Sequence, residues 1–308
     1  MKKSIMAVAV AVCVSAPAIA LADATLYGHV MMSIDKEKNE KLHIGGEGNS
    51  GSRIGLRGTA DTAMDGIKAI YQYEFAVNKT NGAQALRTRQ ANVGLTGGFG
   101  TVKAGTQSTP QDSWVNSTTD VMLSSVYTVA HSTATAPSRI SNSLAYVSPN
   151  FSGLQFALAT AANSSNTDES LDLYHAAVKY SNSGFYGALG YIDYNSDVMS
   201  PNKQSEMALA LEYDFGVGTI AGVYSHVRND ITDDYKPWDI SATYNVTDST
   251  TLKAAYADFK DGAKGFGVEV QHDLSKMVNT FVGYGHANSD LRDRGTDNIF
   301  STGMRVRF

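Results

Sequence analysis

The side chains best suited to acid–base or metal chemistry in this 308-residue chain are its histidines. The chain has seven, and they are scattered along its length: His29, His43, His131, His175, His226, His272 and His286. None lies in a nucleophile motif or in a metal-binding motif such as H-E-x-x-H. Because an enzyme would need a Ser–His or Asp–His constellation, we predict no catalytic residue, no metal site and no cofactor.

Several arginines, by contrast, are spaced so that they share one face of an extended chain. Arg87 and Arg89 are two residues apart, so both project to the same side of a strand. Arg305 and Arg307 alternate with apolar residues up to the terminal Phe308. In a strand that crosses a membrane, a charge facing lipid near the midplane costs about 2–4 kcal/mol. In such a strand these arginines would face a water-filled lumen.

Strands with one apolar and one polar face account for most of the sequence. In residues 67–77 the odd positions are Ile, Ala, Tyr, Tyr, Phe and Val, whereas Lys, Gln and Glu lie between them. Residues 207–215 and 265–273 alternate in the same way. This period of two predicts half-buried β-strands. We predict sixteen, each about ten residues long, near residues 24–34, 50–58, 67–77, 85–96, 100–106, 139–148, 153–162, 171–181, 184–195, 204–215, 218–228, 237–246, 249–259, 265–273, 277–288 and 298–308.

The connections between these strands alternate in length. Short ones, such as residues 96–99, 181–184 and 215–218, are interleaved with long polar ones at 35–49, 196–203, 229–236 and 289–297. An even number of strands with short turns at one end and long loops at the other is typical of bacterial membrane barrels. The sequence therefore predicts an all-β fold, a transmembrane antiparallel β-barrel of about sixteen strands.

A secreted β-sandwich is the main alternative fold, since it also has alternating strands. Its inner faces would pack Val, Ile and Leu densely, whereas the apolar positions here are rich in Tyr, Phe, Ala and Gly. Tyrosines also recur near predicted strand ends, where membrane interfaces favour them. Those tyrosines are Tyr27, Tyr180, Tyr194, Tyr213 and Tyr244. This composition favours the barrel.

The first 22 residues have the pattern of a secretory signal peptide. Met1, Lys2 and Lys3 precede an apolar run, and Ala20-Leu21-Ala22 offers a small-residue cleavage site before Asp23. A membrane anchor would need about 18–20 uninterrupted apolar residues. Cleavage would leave residues 23–308 as one barrel domain with a net charge of 23 − 30 = −7. An acidic balance without a basic cluster argues against nucleic-acid binding.

The chain resembles the Gram-negative general diffusion porins over essentially its whole mature length. The matching stretches, in order, are Thr25-Leu26-Tyr27-Gly28, Ser52-Arg53-Ile54-Gly55-Leu56-Arg57-Gly58, residues 66–74, Arg89-Gln90-Ala91-Asn92-Val93-Gly94-Leu95 with Phe99-Gly100-Thr101-Val102, and Ser148-Pro149-Asn150-Phe151-Ser152-Gly153-Leu154. The terminal Phe308 resembles the signal by which outer-membrane barrels are recognised for assembly. The order and spacing of these motifs carry the resemblance.

The resemblance implies an outer-membrane homotrimer, in contact with lipid and lipopolysaccharide, that lets ions and small hydrophilic solutes diffuse passively. It also implies that the long third loop, here residues 107–138, folds into the lumen and narrows it. The loop would face a basic wall of Arg53, Arg87, Arg89 and Arg139, with Glu74, Asp112 and Asp120 as the acidic side of the constriction. A barrel enzyme and a solute-specific channel are the alternative functions.

A second argument for the homotrimer comes from the strand at 85–96. Its alternation puts Thr88, Gln90, Asn92 and Thr96 on the side opposite Arg87 and Arg89. Lipid disfavours unpaired amides, so we expect a subunit interface to cover them.

Overall fold

The computed structural model describes residues 23–46, 48–49, 51–77, 86–132, 136–162, 171–195, 203–229 and 233–308. The predicted signal segment, residues 1–22, lies outside the described residues, and its cleavage before Asp23 stays a prediction. Among the described residues, no helix is long and apolar enough to span a bilayer.

The described residues form seventeen antiparallel strand segments in one sheet. Their bounds are β1 Thr25–Glu37, β2 His43–Gly46, β3 Ser52–Asp61, β4 Lys68–Val77, β5 Leu86–Gly97, β6 Gly100–Ser108, β7 Arg139–Val147, β8 Leu154–Ala161, β9 Leu173–Asn182, β10 Phe185–Tyr194, β11 Lys203–Asp214, β12 Gly218–Asn229, β13 Trp238–Thr247, β14 Thr250–Asp258, β15 Lys264–Asp273, β16 Val278–Ala287 and β17 Ile299–Arg307.

The sheet closes on itself because β1 pairs with strands from both ends of the sequence. His29 lies opposite Arg307 of β17 on one side and opposite Arg53 of β3 on the other. The short β2 pairs with Ser33–Asp35 of β1, beyond the end of β3, so β2 and β3 share one position in the wall. The predicted sixteen-strand antiparallel barrel is therefore confirmed.

The two faces of the wall differ as the alternation predicts. On β11, Leu209 and Leu211 point outward and are exposed, whereas the alternating Ala208 and Ala210 are buried inside. On β4, Tyr73 points outward and Glu74 inward. The exposed apolar band suits lipid, and the inner face is lined by small and polar residues. Of the five tyrosines predicted for the interfaces, Tyr180, Tyr213 and Tyr244 are exposed on the outer face. The prediction is wrong for Tyr27 and Tyr194, which both point into the lumen.

A β-bulge in β5 overturns one prediction about its faces. Gln90 lies opposite Glu74 and Thr88 opposite Phe75, so Arg89 is an extra residue between the two pairs. The bulge turns Gln90 and Asn92 toward the lumen with Glu74, and Thr96 shares that side. Only Thr88 remains outward. The expected row of outward amides is therefore absent from β5, and with it the argument that used them for a subunit interface.

The loop between β6 and β7 lies inside the barrel, as expected. It forms helix α1 at Pro110–Trp114, a 3₁₀ turn at Asn116–Thr118 and helix α2 at Tyr127–Ala130. The Thr109 side chain caps α1 by accepting a hydrogen bond from Asp112 N at 3.1 Å. A third helix, α3 at Ser289–Asp293, lies in the loop before β17.

Inward-facing glycines of β15 and β16 make room for α2. A Cβ atom on Gly267 would lie 2.3 Å from Val126 Cγ1, and one on Gly285 would lie 2.4 Å from Val129 Cγ2. Val126 and Val129 are both fully buried. The loop thus packs against the wall at positions where any larger residue would displace it.

The last residue completes the closure of the barrel. Gly28 N donates to Phe308 O at 3.0 Å, and Phe308 N donates to Gly28 O at 3.1 Å. The Phe308 ring covers Gly28, because a Cβ there would lie 2.7 Å from ring atom Cζ. Phe308 therefore joins the final strand to the first through both its backbone and its side chain.

We predict that deletion of Phe308 lowers the yield of folded barrel in the outer membrane without reducing export to the periplasm. The deletion removes two backbone hydrogen bonds of the seam, each worth about 0.5–1.5 kcal/mol, and the terminal aromatic residue. Heat-dependent gel migration of membrane fractions measures the folded barrel, with Phe308→Tyr as the control. An unchanged folded yield would show that the terminal residue is not needed for assembly.

Candidate functional site

The centre of the predicted basic wall is an ion-paired cluster from three adjacent strands. Arg89 Nε lies 2.6 Å from Glu74 Oε1, and Arg53 Nη1 lies 3.6 Å from the same oxygen. Tyr27 donates its hydroxyl to Glu74 Oε2 at 3.0 Å, and Gln72 Nε2 donates to the Tyr27 hydroxyl at 2.7 Å. The buried carboxylate therefore holds both guanidinium groups in place.

This geometry corrects the expected place of Glu74. The sequence analysis put it on the acidic side, opposing the arginines across the lumen. The structure places it among them, because the register of β3, β4 and β5 brings it between Arg53 and Arg89 on one wall. The Glu74 carboxylate therefore compensates the charges of Arg53 and Arg89 on their own wall and does not face them across the lumen.

The other two predicted arginines lie at the edges of this cluster. Arg139 begins β7, and its charge interacts with those of Arg89, Asp112 and Arg53. Arg87 lies on the row that Arg53 and Ala76 define across β3, β4 and β5. It is exposed and makes no ion pair with any residue that the structure describes. All four arginines thus face the lumen from β3, β5 and β7.

The two predicted loop acids have different surroundings. Burial raises the pKa of Asp112 to about 6, while the neighbouring charge of Arg139 acts in the opposite direction. Burial also raises the pKa of Asp120, whose Oδ1 accepts a hydrogen bond from Asn49 Nδ2 at 2.5 Å. Asp112 therefore faces the arginines, whereas Asp120 interacts mainly with His131 and Asn49 deeper in the loop.

Buried carboxylates on the wall hold the loop in place, and the sequence analysis missed them. Glu269 of β15 accepts hydrogen bonds from Leu123 N at 3.1 and 3.0 Å and from Ser124 N at 2.7 Å. Lys253 Nζ lies 3.0 Å from Glu269 Oε1 and donates to Val121 O at 2.7 Å. This pair satisfies backbone groups of the loop on both sides of Met122.

Asp239 of β13 holds the loop at two further points. Its Oδ1 accepts from Ser132 N at 2.8 Å, and its Oδ2 lies 2.8 Å from His131 Nδ1 and 3.4 Å from Thr119 Oγ1. The carboxylate raises the pKa of His131 against the opposing effect of burial. The two ends of the loop segment 119–132 are therefore tied to one strand.

Two more carboxylates complete the set that we call the loop anchors: Asp35, Glu206, Asp239 and Glu269. Gln111 Nε2 donates to Glu206 Oε1 at 2.7 Å. Ser125 Oγ donates to Asp35 Oδ1 at 3.1 Å, and Ser301 Oγ donates to the same oxygen at 2.5 Å. Three of the anchors come from β11, β13 and β15, on the side of the barrel away from Arg53 and Arg89, whereas Asp35 comes from β1, which pairs with β3.

The loop anchors left a signal in the sequence. Glu206, Asp239 and Glu269 are acids at inward positions of strands whose other inward residues are small or polar, as Glu206 is next to Ala208 and Ala210. A buried carboxylate is costly unless it has donors or a counter-charge. Inward acids on such strands therefore indicate that another segment packs inside the barrel.

The arrangement leaves a passage bounded by charged groups from two sides. Arginines line one wall, and Asp112 lies on the loop that faces them. Within the described part of the chain, no group of three or more His, Cys, Asp or Glu residues could hold a metal ion. The geometry supports electrostatic selection of solutes in transit.

Comparison with known proteins agrees with the fold. A model of the Gram-negative porin family matches residues 7–292. The chain is 27% identical to the major outer membrane protein P.IB of Neisseria meningitidis serogroup B, over 92% of this chain and 98% of that protein. A P.IB protein of Neisseria gonorrhoeae is 32% identical over 60% of this chain and 55% of its own length.

Two solved structures share the fold. The anion-selective porin from Comamonas acidovorans has a TM-score of 0.72 at 21% identity, covering 92% of this chain and 99% of that chain. Salmonella typhi OmpF in complex with daunomycin has a TM-score of 0.74 at 18% identity, covering 92% and 97%. Since the family model spans most of the sequence and the barrel has the fold of these porins, the chain belongs to the Gram-negative porin family.

Proposed function

We propose that this outer-membrane porin is a passive, water-filled pore narrowed between its inner loop and its arginine wall. One observation carries the proposal: the loop anchors fix segment 111–132 inside a closed barrel, and three of the four anchors lie on the side away from Arg53 and Arg89. Ions and small hydrophilic solutes would pass between the two. Conductance of the purified protein in a planar bilayer tests this, and absence of channel steps would refute it.

The site residues of this pore are Arg53, Arg87, Arg89 and Arg139 on the basic wall and Asp112 and Asp120 on the loop. Glu74 fixes the basic wall.

We propose no reaction for the protein: among the described histidines, the ion pairs are those of His131 with Asp239 and His226 with Asp234, and neither includes a nucleophile. A lipase assay on the folded protein separates the pore from a barrel enzyme.

We propose that the protein works as a homotrimer. A solved OmpT of Vibrio cholerae with the same fold is described in a trimer form. On this chain, each strand from β7 to β17 carries at least one outward aromatic residue, whereas β1, β3, β5 and β6 carry none and only β4 between them carries outward aromatics, such as Tyr73. Aromatic residues mark the interfaces between lipid and water, so this gap supports contact with other subunits at β1, β3, β5 and β6.

We further propose that lipid and lipopolysaccharide contact the remaining outer face. That face exposes a continuous apolar band, to which Leu209, Leu211 and Ile240 belong. At the end that carries the long loops, Arg228 and Lys264 point outward. Basic side chains at that level suit the phosphates of an outer leaflet.

We expect the folded protein to migrate as a trimer in mild detergent and to become a monomer after heating. Replacing Val93 with Arg on the outer face of β5 should weaken the trimer, because a buried unpaired charge costs several kcal/mol. Leu209→Arg, on the outer face of β11, is the matched control. Crosslinking measures both. A wild-type protein that is only ever monomeric would contradict the proposal.

Charge selectivity should depend on ionic strength. The mouth on the long-loop side carries Asp233, Asp234, Asp290, Asp293 and Asp297, and their fields are screened within about 8 Å at physiological salt. We therefore expect weak selectivity overall, with a cation preference that grows as salt is diluted. The reversal potential across a salt gradient, measured at low and high salt, tests this. Strong anion selectivity in dilute salt would contradict it.

In the same measurement, Arg89→Ala should shift the selectivity toward cations, because it removes a positive charge from the constriction and leaves Glu74 with Arg53 alone. Arg228→Ala removes the same charge from the outer face and is the control. If Arg89→Ala leaves conductance and selectivity unchanged, Arg89 does not line the narrowest part of the pore.

Selectivity should also depend on pH through Asp112. Its pKa of about 6 means that its carboxylate loses charge as the pH falls from 7 to 5. The loss leaves Arg139 and Arg89 less opposed, so the selectivity should shift toward anions. Asp120 and His131 also face Asp112 and titrate, and Asp112→Asn separates their effect. A shift of equal size in Asp112→Asn would assign the titration to them.

A further inference from the structure

Two arginines of the last strand converge on a single neutral acceptor in the lumen. Arg305 approaches Asn279 Oδ1 with Nε at 3.2 Å and Nη2 at 3.1 Å, and Arg307 Nη2 lies 2.6 Å from the same oxygen. Asn279 is buried, Arg305 is half-buried and Arg307 is exposed. The pair lies near the end of the barrel that carries the short turns, below the constriction.

Among the described residues, this pair lacks a direct carboxylate contact like that of Glu74 with Arg53 and Arg89. The charge of Asp273 acts on both arginines, but its Oδ1 accepts from Gln271 Nε2 at 2.7 Å and from Asn279 Nδ2 at 2.6 Å. Among the described residues, no ion pair links Arg305 or Arg307 to an acid. The two adjacent guanidinium groups thus share one amide oxygen as their hydrogen-bond acceptor.

The donors of this pair exceed the acceptors that the protein offers them. Each guanidinium has five N–H donors, and Asn279 engages two nitrogens of Arg305 and one of Arg307. Planar guanidinium groups match the geometry of carboxylate and phosphate oxygens, which they bind in bidentate fashion. The remaining donors are therefore suited to an oxyanion that enters from the lumen.

The pair also lies on the same wall as the arginines of the constriction. Arg307 lies opposite His29 on β1, and His29 lies opposite Arg53 on β3. With strands about 4.8 Å apart, the backbones of Arg307 and Arg53 are about 10 Å apart across the wall. An anion that leaves Arg53 therefore has Arg305 and Arg307 along the same wall.

We propose that Arg305 and Arg307 form an oxyanion-binding subsite on the short-turn side of the constriction, for the carboxylate or phosphate group of a solute in transit. The proposal rests on the pore function and adds to it a solute class, small organic acids and phosphate esters. The subsite would retain such solutes after the arginine wall has admitted them.

The test is block of single-channel chloride current by inorganic phosphate and by succinate, added separately to each side of a planar bilayer. Both probes should reduce the wild-type current, and at lower concentration from the short-turn side. In Arg305→Gln/Arg307→Gln the half-blocking concentration should rise about tenfold, the loss expected from removing charge-assisted hydrogen bonds. Block by phosphate alone assigns the subsite to phosphate esters, and block by succinate alone assigns it to organic acids.

The matched control is Arg57→Gln/Lys103→Gln. It removes the same charge from the same end of the lumen, where Arg57 and Lys103 line one recess, but leaves the Asn279 pair intact. Its half-blocking concentration should change less than about twofold. Heat-dependent gel migration shows whether the double variant folds. If it does not, the single variant Arg307→Gln, at the exposed position, replaces it in the test.

Three results would overturn the subsite while leaving the pore in place. They are wild-type channels that neither probe blocks, an unchanged block in the Arg305/Arg307 variants, and an equal loss of block in the control. Absence of channels in the wild type would instead refute the pore itself.

Discussion

The need to pair every backbone polar group in lipid governs this structure. An unpaired N–H or C=O in the hydrocarbon costs several kcal/mol, so a sheet in a membrane is stable only when it has no edge. The chain meets this requirement where β1 contacts β17 from His29 to Glu37 and β3 from Thr25 to His29. Closure then divides every strand into a lipid face and a lumen face, and the patterning of the chain follows from that division.

The same physical rule operates a second time inside the lumen. A loop that enters the barrel brings unpaired backbone groups with it, and inward carboxylates satisfy several of them. Glu269 alone accepts from the amides of Leu123 and Ser124, and Lys253 compensates its charge. The loop anchors therefore use their carboxylate oxygens to hold the loop. The arginines of the basic wall, by contrast, have N–H donors that can bind solutes.

The sequence predicts the barrel well because its signal is repeated in every strand. Alternation, strand length and the lengths of connections all indicate the same closed sheet, and a local error in one strand does not change the result. The prediction that the loop between β6 and β7 lies inside the barrel rested on the family resemblance, and the structure confirms it.

The errors of the sequence analysis concern single residues whose place depends on tertiary contacts. The bulge at Arg89 inverts the faces of β5, and no residue type marks it. Glu74 fits either side of a pore until the register of three strands is known. Tyr27 and Tyr194 lie near strand ends, as interface tyrosines do, but they point inward; Tyr27 there bonds a carboxylate. The alternation of residue types along a strand predicts which side chains are buried, but it does not identify the residues that they contact.

The anchoring of the loop at Asp35 couples the narrowing of the pore to the closure of the barrel. Asp35 lies in β1 and bonds Ser125 of the loop together with Ser301 of β17, so this contact spans the line where the first and last strands meet. A barrel that has inserted but not yet joined these strands lacks that contact. Such an intermediate would leak until the final strand docks, and a cell therefore benefits if the barrel closes before it is released into the membrane.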